Sequence, residues 1–259
     1  MKVKVAVLQY DAPEESSASF KKLNEMVSQA SWAGAKLIVA PETAVGEVGE
    51  LKEKEIDYLP KLIEVAKKHS VFLATSFYTK KDGKYYNQGY IISPEGKSVV
   101  SHRKIYPAKP EIENIGVVAG NTLEVEKTEI GKLGMLICKD GFNKFSHFLY
   151  EKFNNQGAEI ICIPTWSIGW KELNTQEYVK ALYVYGAFAS RSFILVSGNL
   201  NIATNSFGRS LIVSPIRGVL KEGSINHKEI LYEELDLDEV TKAREFDSWW
   251  QPKKKLEIK

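Results

Sequence analysis

Short apolar runs alternate with longer amphipathic segments along the chain. Apolar runs of this length, bounded by turn-forming residues, are typical of strands buried on both faces of a sheet. They lie at residues 3–9, 36–40, 71–77, 132–138, 159–163 and 193–197. Segments with apolar residues on one helical face predict helices at residues 16–32, 56–68, 144–155, 175–190 and 238–246. The alternation of the two patterns favours an α/β fold.

Turn signals between the remaining β-rich runs predict antiparallel hairpins. The Asp-Gly at residues 82–83 and the Pro-Glu-Gly at residues 94–96 are turns of this kind. The runs themselves lie at residues 85–92, 98–102, 210–214, 218–221 and 230–235. Residues 104–122, by contrast, predict a long irregular loop, and loops of that length are often functional.

No linker, low-complexity tract or internal repeat divides the sequence, and 259 residues suffice for a substantial core. We therefore predict a single domain over residues 1–259. Its architecture would be either one mixed sheet with helices or two sheets packed face to face with helices outside.

Composition and charge exclude several classes of protein. A formal net charge of +2 gives no reason to expect nucleic acid or an anionic membrane as a partner. No run approaches the roughly 18 apolar residues of a membrane span, and residues 1–10 predict a strand instead of a signal peptide. Two cysteines do not form a disulfide framework, so a reducing, cytoplasmic setting is expected. The four histidines lack the spacing of metal ligands, and we expect neither a metal nor a cofactor.

The apolar run at residues 132–138 ends abruptly at Cys138. Asn143 is a candidate N-cap for the next helix, so Cys138 is predicted in the turn between a strand and a helix. Ligands of open α/β sheets bind at this edge. A helix N-terminus and a nearby cation can lower the pKa of a thiol in such a turn. The alternative is a buried, inert thiol.

Two more ionisable residues, Glu42 and Lys104, directly follow predicted strands. If they meet Cys138 at one rim of the sheet, the three groups complement each other. The thiol is a nucleophile, the carboxylate a base that takes its proton, and the ammonium a donor that stabilises an oxyanion. Each residue alone is weak evidence, because a glutamate after proline usually lies in a surface turn and a lysine among charged neighbours is usually solvated.

Together these residues resemble the motifs of the nitrilase superfamily of carbon–nitrogen hydrolases. Glu42 stands in a Pro-Glu that resembles the family's glutamate motif. Lys104 ends a His-Arg-Lys that resembles its lysine motif, and Cys138 begins a Cys-Lys-Asp that resembles its cysteine motif, in the family order. Residues 5–9 and 235–237 are also similar to the family, so the resemblance extends over nearly the whole chain.

The resemblance implies a fold and a mechanism that the hydrophobic pattern does not indicate. The fold would be α/β, a four-layer αββα sandwich with two mixed β-sheets flanked by helices, and the protein a homodimer or higher homo-oligomer. The chemistry would be hydrolysis of a non-peptide C–N bond through a thioester on Cys138. Glu42 would transfer the protons, and Lys104 and the backbone N–H of Lys139 would hold the oxyanion.

The family also has a second glutamate in the loop after the lysine, which helps to position the substrate. Glu113 and Glu111 both qualify, and the spacing to Gly120 favours Glu113. Lys139, beside the nucleophile, and Trp166, beyond a strand end, are the other candidate substrate-binding residues. For Trp166, simple packing is an equally good interpretation.

The chain departs from the family around the pocket. Lys139 replaces the aromatic residue that usually follows the cysteine, and residues 142–145 replace an Arg-Phe-Pro-like stretch. Residues 186–190 lack both charges of the family's Arg-Ala-x-Glu-Asn-like helix. Because of these departures, the sequence does not identify the acyl group or the leaving amine of the substrate.

The function that we expect is release of ammonia from a small carboxamide, without nucleic acid or membrane partners. Asp140, two residues after the cysteine, is typical of amidases, whereas nitrilases tend to have Trp-Glu there. A nitrile or an N-carbamoyl amide stays open as substrate. A catalytically silent binding or scaffold protein is a second hypothesis, which the intact triad disfavours. A metal-dependent phosphoesterase using Glu42, Asp140 and His147 is a third, which the shortage of ligands disfavours.

Overall fold

Four layers make up the fold: helices, a sheet, a second sheet and helices again. A computed structural model describes residues 1–12, 15–45, 57–169, 173–200 and 206–250, with only the backbone at residues 16 and 247–250. Its two large sheets each have six strands of mixed direction and pack face to face. The α/β sandwich implied by the motifs is thereby confirmed.

The strands of the described residues are, in chain order, β1 (Lys2–Gln9), β2 (Leu37–Glu42), β3 (Phe72–Lys81), β4 (Lys84–Ile92), β5 (Ser98–Arg103), β6 (Val125–Thr128), β7 (Gly131–Met135), β8 (Ile160–Thr165), β9 (Ser167–Ile168), β10 (Phe193–Gly198), β11 (Ser206–Phe207), β12 (Leu211–Ser214), β13 (Gly218–Glu222) and β14 (Glu229–Asp236). The first sheet has the order β14-β1-β2-β3-β4-β5, and the second has the order β13-β12-β10-β8-β7-β6. In each, three parallel strands form the centre and antiparallel strands form the edges. Parallel strands of this kind need crossover connections, which the helices supply.

The α-helices are α1 (Ser16–Trp32), α2 (Leu59–His69), α3 (Ser146–Gln156), α4 (Thr175–Ser190) and α5 (Asp238–Trp250). α1 and α2 bury their apolar faces against the outer face of the first sheet, and α3 and α4 cover the second sheet. Between the sheets lies a third core, made almost entirely of strand residues, to which the start of α5 contributes. None of the described helices is long and apolar enough to cross a membrane.

The second sheet leaves no room for a side chain at Gly134 of β7. A Cβ atom built there would overlap the ring of Phe153, which is fully buried on α3. We expect Gly134→Ala to destabilise the protein by about 1–3 kcal/mol, because a close-packed core absorbs an added methyl group only by distortion. Chemical denaturation would measure this loss.

Gly134→Ala combined with Phe153→Leu provides the control for that prediction. The smaller side chain relieves the overlap, so the double variant should lose less stability than the sum of the two single variants. Strictly additive losses would show that Gly134 is required for another reason.

Some elements differ from those predicted. α3 begins at Ser146, so Asn143 is not its N-cap. The Asn143 amide instead accepts a hydrogen bond from the Phe145 N–H (2.7 Å) and donates one to the carbonyl of Lys139 (2.7 Å), which tightens the turn after Cys138. The loop predicted at residues 104–122 contains a single π-helical turn, Glu111–Ile115. The pattern did not predict β6 or the β9–β11 ribbon, which are short and carry few apolar residues.

Candidate active site

An irregularity in β2 turns Glu42 toward the space between the sheets. Val39 packs in the core between the sheets, and strict alternation would next place Pro41 there. The register with β3 shifts instead. Val39 pairs with Ala74 but Glu42 pairs with Ser76, so β2 has one extra residue over this interval. A bulge of this kind re-aims the following side chain, and Glu42 is consequently buried between the sheets.

Lys104, which directly follows β5, faces Asn87 within β4. The Lys104 N–H donates to the Asn87 carbonyl (2.9 Å), next to the Gln88–Arg103 pair of the ladder. Opposed residues of antiparallel strands present their side chains on the same face of the sheet. Lys104 Nζ and Asn87 Nδ2 accordingly both donate to Glu42 Oε1, each at 2.7 Å.

A second buried carboxylate, Glu111, lies on the other side of the Lys104 ammonium. Its Oε2 is 2.7 Å from Lys104 Nζ and accepts a hydrogen bond from the Ala108 N–H (2.5 Å). Its Oε1 accepts hydrogen bonds from Asn87 Nδ2 (2.8 Å) and the Tyr78 hydroxyl (3.2 Å). Lys104 and Asn87 are therefore each shared between the same two carboxylates.

The structure places Glu111, and not Glu113, beside Lys104. Spacing favoured Glu113, but its side chain is 59% exposed and its carboxylate lies 3.6 Å from the ammonium of Lys109. Both glutamates belong to the turn Glu111–Ile115, and residues two positions apart on a helical turn do not share a face. The geometry thus favours Glu111 over Glu113 as the second glutamate of the site.

Burial and the neighbouring charges shift the pKa values of Glu42 and Glu111 in opposite directions. Burial raises the pKa of Glu42, and the negative charge of Glu111 adds to this rise, although Lys104 opposes it. Burial also acts upward on Glu111, but the Lys104 ammonium and the Asn87 amide hold its pKa below the usual value. Burial alone would lower the pKa of Lys104, yet the surrounding anionic groups raise it well above its usual value. Glu111 and Lys104 therefore stay charged, while Glu42 binds a proton more readily.

Cys138 begins the 3₁₀ turn Cys138–Gly141, just beyond the end of β7. Its φ of 48° is left-handed, which is uncommon for a residue other than glycine. Thr43, which follows Glu42, is left-handed as well, with φ of 53°. Left-handed backbone at such residues costs free energy and persists only where the surrounding structure imposes it, often at functional sites.

The pKa of the Cys138 thiol is raised and not lowered as its place in the chain suggested. Burial raises it, Glu42 raises it further, and Lys104 only partly opposes them. A single 3₁₀ turn also carries little of the dipole that a long helix would provide. The thiol, whose Sγ lies 3.6 Å from the Trp166 carbonyl, is therefore protonated at rest and needs a base as it reacts.

Lys139 and Trp166 flank the nucleophile in different ways. The Lys139 ammonium donates to the Pro107 carbonyl (3.4 Å), which directs the side chain to the loop that follows Lys104. No described residue accepts a hydrogen bond from the backbone N–H of Lys139, so this N–H is available to an oxyanion. Trp166 is half-buried beyond β8, and its carbonyl lies against the thiol.

Asp140 connects the cysteine turn to the segment that carries Lys104. Its Oδ1 accepts hydrogen bonds from the N–H groups of Ile105 (3.0 Å) and Tyr106 (2.7 Å). Its Oδ2 accepts from the Ile137 N–H (3.2 Å) and lies 2.9 Å from His102 Nε2. The sequence indicated Asp140 as a mark of amidases and as a residue of the phosphoesterase hypothesis, but its connecting role was not predicted. A carboxylate with four donors fixes the distance between the nucleophile and the lysine.

Asp140→Asn is expected to lower kcat by about ten- to a hundredfold and to destabilise the fold by about 2 kcal/mol. The amide NH₂ must face N–H donors that a carboxylate oxygen accepts in the wild type, and the resulting donor–donor contact leaves buried groups unpaired. Steady-state kinetics and thermal unfolding would measure the two effects. Asp82→Asn, in the exposed β3–β4 turn, is the matched control and should change stability by less than about 0.5 kcal/mol.

The residues of the phosphoesterase hypothesis do not converge. His147 is exposed on α3 and its Nδ1 lies 3.1 Å from the Lys144 carbonyl, whereas both oxygens of Asp140 are occupied as described above. Within the described ranges, no three His, Cys, Asp or Glu side chains are grouped so that they could hold a metal ion. The geometry therefore favours the thiol site.

Comparison with known proteins identifies relatives of this chain. The chain is 26% identical to Nitrilase 3 of Arabidopsis thaliana over an alignment 284 residues long. The alignment covers 93% of this chain and 81% of that protein. It is 24% identical to the deaminated glutathione amidase of Dictyostelium discoideum over 269 residues, 93% of this chain and 90% of that protein. A glutamate-to-glutamine mutant of the amidase from Nesterenkonia sp. AN1, with the acetamide moiety of fluoroacetamide added covalently at the active-site cysteine, has a similar fold. Its TM-score is 0.79 at 18% identity, over 96% of this chain and 97% of that chain.

The family model for carbon–nitrogen hydrolases matches residues 4–245. That span includes Glu42, Lys104 and Cys138, as well as nearly all of both sheets. The chain therefore belongs to the carbon–nitrogen hydrolase family of the nitrilase superfamily.

Proposed function

We propose that this protein hydrolyses small carboxamides to ammonia and a carboxylic acid, with Cys138 as the nucleophile. The observation that carries the proposal is the position of Lys104, whose ammonium lies 2.7 Å from both Glu42 and Glu111. Cys138 and Glu42 are close enough for each to shift the other's pKa. A base, a cation and a thiol thus occupy one buried site.

The first half of the reaction forms a thioester. Glu42 accepts the thiol proton while the sulfur attacks the carbonyl carbon, because the thiol is not ionised at rest. The carbonyl oxygen becomes an oxyanion, which Lys104 and the backbone N–H of Lys139 stabilise. The C–N bond then breaks, Glu42 returns the proton to the nitrogen, and ammonia leaves.

The second half hydrolyses the thioester. Glu42, ionised again, takes a proton from a water molecule that attacks the thioester carbon. The tetrahedral intermediate collapses, the C–S bond breaks, and the sulfur recovers the proton from Glu42. The raised pKa of Glu42 suits a group that accepts and returns a proton in each half.

An amide is favoured over a nitrile by Asp140, which is more typical of amidases at this position. The names of the relatives point both ways, since they include a nitrilase and an amidase. The Nesterenkonia amidase, in which the acetamide moiety of fluoroacetamide is bound to the active-site cysteine, supports a small amide as the substrate. A nitrile is the second candidate.

Ammonia release from a substrate panel tests the proposal. The panel holds short aliphatic, aromatic and dicarboxylic amides, the matching nitriles, and N-carbamoyl amino acids. We expect release from amides, together with a hydroxamate when hydroxylamine is added, because hydroxylamine intercepts a thioester. Release from the nitriles alone would select the second candidate. Release without hydroxamate formation would contradict the thioester.

A further inference from the structure

The Asn87 side chain bridges the two carboxylates of the site. Its Nδ2 donates to Glu42 Oε1 at 2.7 Å and to Glu111 Oε1 at 2.8 Å. Lys104 Nζ makes the parallel pair of contacts, 2.7 Å to each carboxylate. Two acceptors and two donors therefore close a ring, in which Asn87 is the uncharged donor.

The orientation of the Asn87 amide follows from its surroundings. Two carboxylates can accept hydrogen bonds but cannot donate them when ionised, so the NH₂ group must face them. The amide oxygen then points away, and no described residue donates to it although the side chain is buried. Both N–H bonds of the amide are thus used to hold Glu42 and Glu111.

A neutral donor is needed here because of the charge balance. With both carboxylates ionised, Lys104 leaves one negative charge uncompensated in a buried site. A second cation would neutralise that charge, but it would also lower the proton affinity of Glu42. An amide provides hydrogen bonds of fixed direction without adding charge.

We propose that Asn87 is a positioning residue for the general base: it fixes Glu42 relative to Glu111 and Lys104 and limits the proton affinity of Glu42. The inference rests on the proposed function, because it assumes that Glu42 transfers the proton of Cys138. The hydrogen bonds of the Asn87 side chain go to the two carboxylates, so it acts through Glu42.

The direction of the effect follows from the groups around Glu42. Lys104, from the end of β5, favours its ionised form. Glu111, from the turn Glu111–Ile115, disfavours that form, whereas the hydrogen bond from the protonated thiol of Cys138 favours it. The hydroxyls of Tyr78 on β3 and Tyr183 on α4 also lie within electrostatic range. Removing the Asn87 donor leaves these groups in place and destabilises the carboxylate, which raises the pKa of Glu42.

Two variants separate loss of the donor from loss of volume. Asn87→Asp keeps the size and shape of the side chain, removes the amide donors and adds a carboxyl group. Asn87→Ser is smaller and retains one weaker donor. Gln88→Ala is the matched control, because Gln88 is the adjacent buried amide of β4. Its side chain donates to Ser101 Oγ (3.0 Å) and to the His102 carbonyl (3.1 Å), away from the two carboxylates.

Two pH profiles provide the readouts. One is kcat/KM for the best amide of the panel, and the other is the rate of Cys138 alkylation by iodoacetamide, which needs no turnover. Both should rise with pH as Glu42 ionises. We expect the acid limb of both profiles to move up by about one pH unit in Asn87→Asp and by less in Asn87→Ser. We also expect kcat/KM at neutral pH to fall by about ten- to a hundredfold in Asn87→Asp, and the Gln88→Ala limb to stay in place.

Each profile is normalised within one variant, so reduced stability does not obscure a shift of its limb. Unshifted limbs in both Asn87 variants would overturn the inference and leave the proposed function intact. An equal shift in Gln88→Ala would also overturn it, because the effect would then be general to β4. A wild-type enzyme whose alkylation has no acid limb, or keeps the same limb in Glu42→Gln, would overturn the role of Glu42 and the inference with it.

Discussion

Replacing Cys138 with alanine is expected to lower kcat for amide hydrolysis by at least about a thousandfold. The substitution removes the only atom of the site that can form the thioester, whereas Glu42 and Lys104 keep their 2.7 Å contact. Substrate binding should persist, because the carboxylates, the amide and the ammonium remain. Ammonia release and mass-spectrometric detection of the acyl-enzyme would measure the loss.

The chain offers a matched control in Cys162. This second free thiol is fully buried on β8, in the core between the sheets, and burial raises its pKa as well. Cys162→Ala should cost about 1 kcal/mol of stability and leave kcat within about threefold of wild type. Activity that survives in Cys138→Ala, or that disappears in Cys162→Ala, would contradict the assignment of the nucleophile.

The second large effect is expected from Glu111→Gln, which should lower kcat/KM by about a hundredfold. The amide that replaces the carboxylate must place its NH₂ group against a donor, either the Lys104 ammonium or the Asn87 amide. It also removes a negative charge that raises the pKa of Glu42. The acid limb of the kcat/KM profile should therefore move to lower pH, opposite to the shift expected for Asn87→Asp.

Glu113→Gln is the control for that experiment. The Glu113 side chain is largely exposed and, among the described residues, forms an ion pair only with Lys109, so its loss should change kcat/KM by less than about twofold. A large effect at Glu113 together with a small effect at Glu111 would return the second-glutamate role to the residue that spacing favoured. Circular dichroism of both variants would establish that the comparison is made between folded proteins.

The elements of the fold could largely be predicted from the sequence, because strands and helices that bury one or both faces have a characteristic pattern of apolar residues. The parallel strands appear as uninterrupted apolar runs, and α1 and α4 begin and end where they were predicted. Strands with little buried surface could not be predicted in this way. β6, for example, has the sequence Val-Glu-Lys-Thr and resembles a loop. Periodicity also left open whether one sheet or two would form, since an apolar strand face does not specify its partner.

Some residues of the site could be predicted from the sequence and others could not. Motifs indicated Glu42, Lys104 and Cys138, because each stands at a strand end with recognisable neighbours. Asn87 has no such motif, although one signal was present: it is a polar residue on the face of β4 that otherwise packs in the core. The choice between Glu111 and Glu113 depended on which residue of one helical turn faces inward.

The sequence by itself determined the order of the helices and of the longer strands, the absence of a strong charge bias, and the presence of a thiol, a carboxylate and an ammonium at strand ends. Tertiary structure alone decided how these groups are arranged. A shift of register in β2 brings Glu42 to the inner face, and the pairing of β4 with β5 sets Asn87 beside Lys104. Burial then raises the pKa of both Cys138 and Glu42. Register, burial and charge proximity depend on residues far apart in the chain, and no local pattern encodes them.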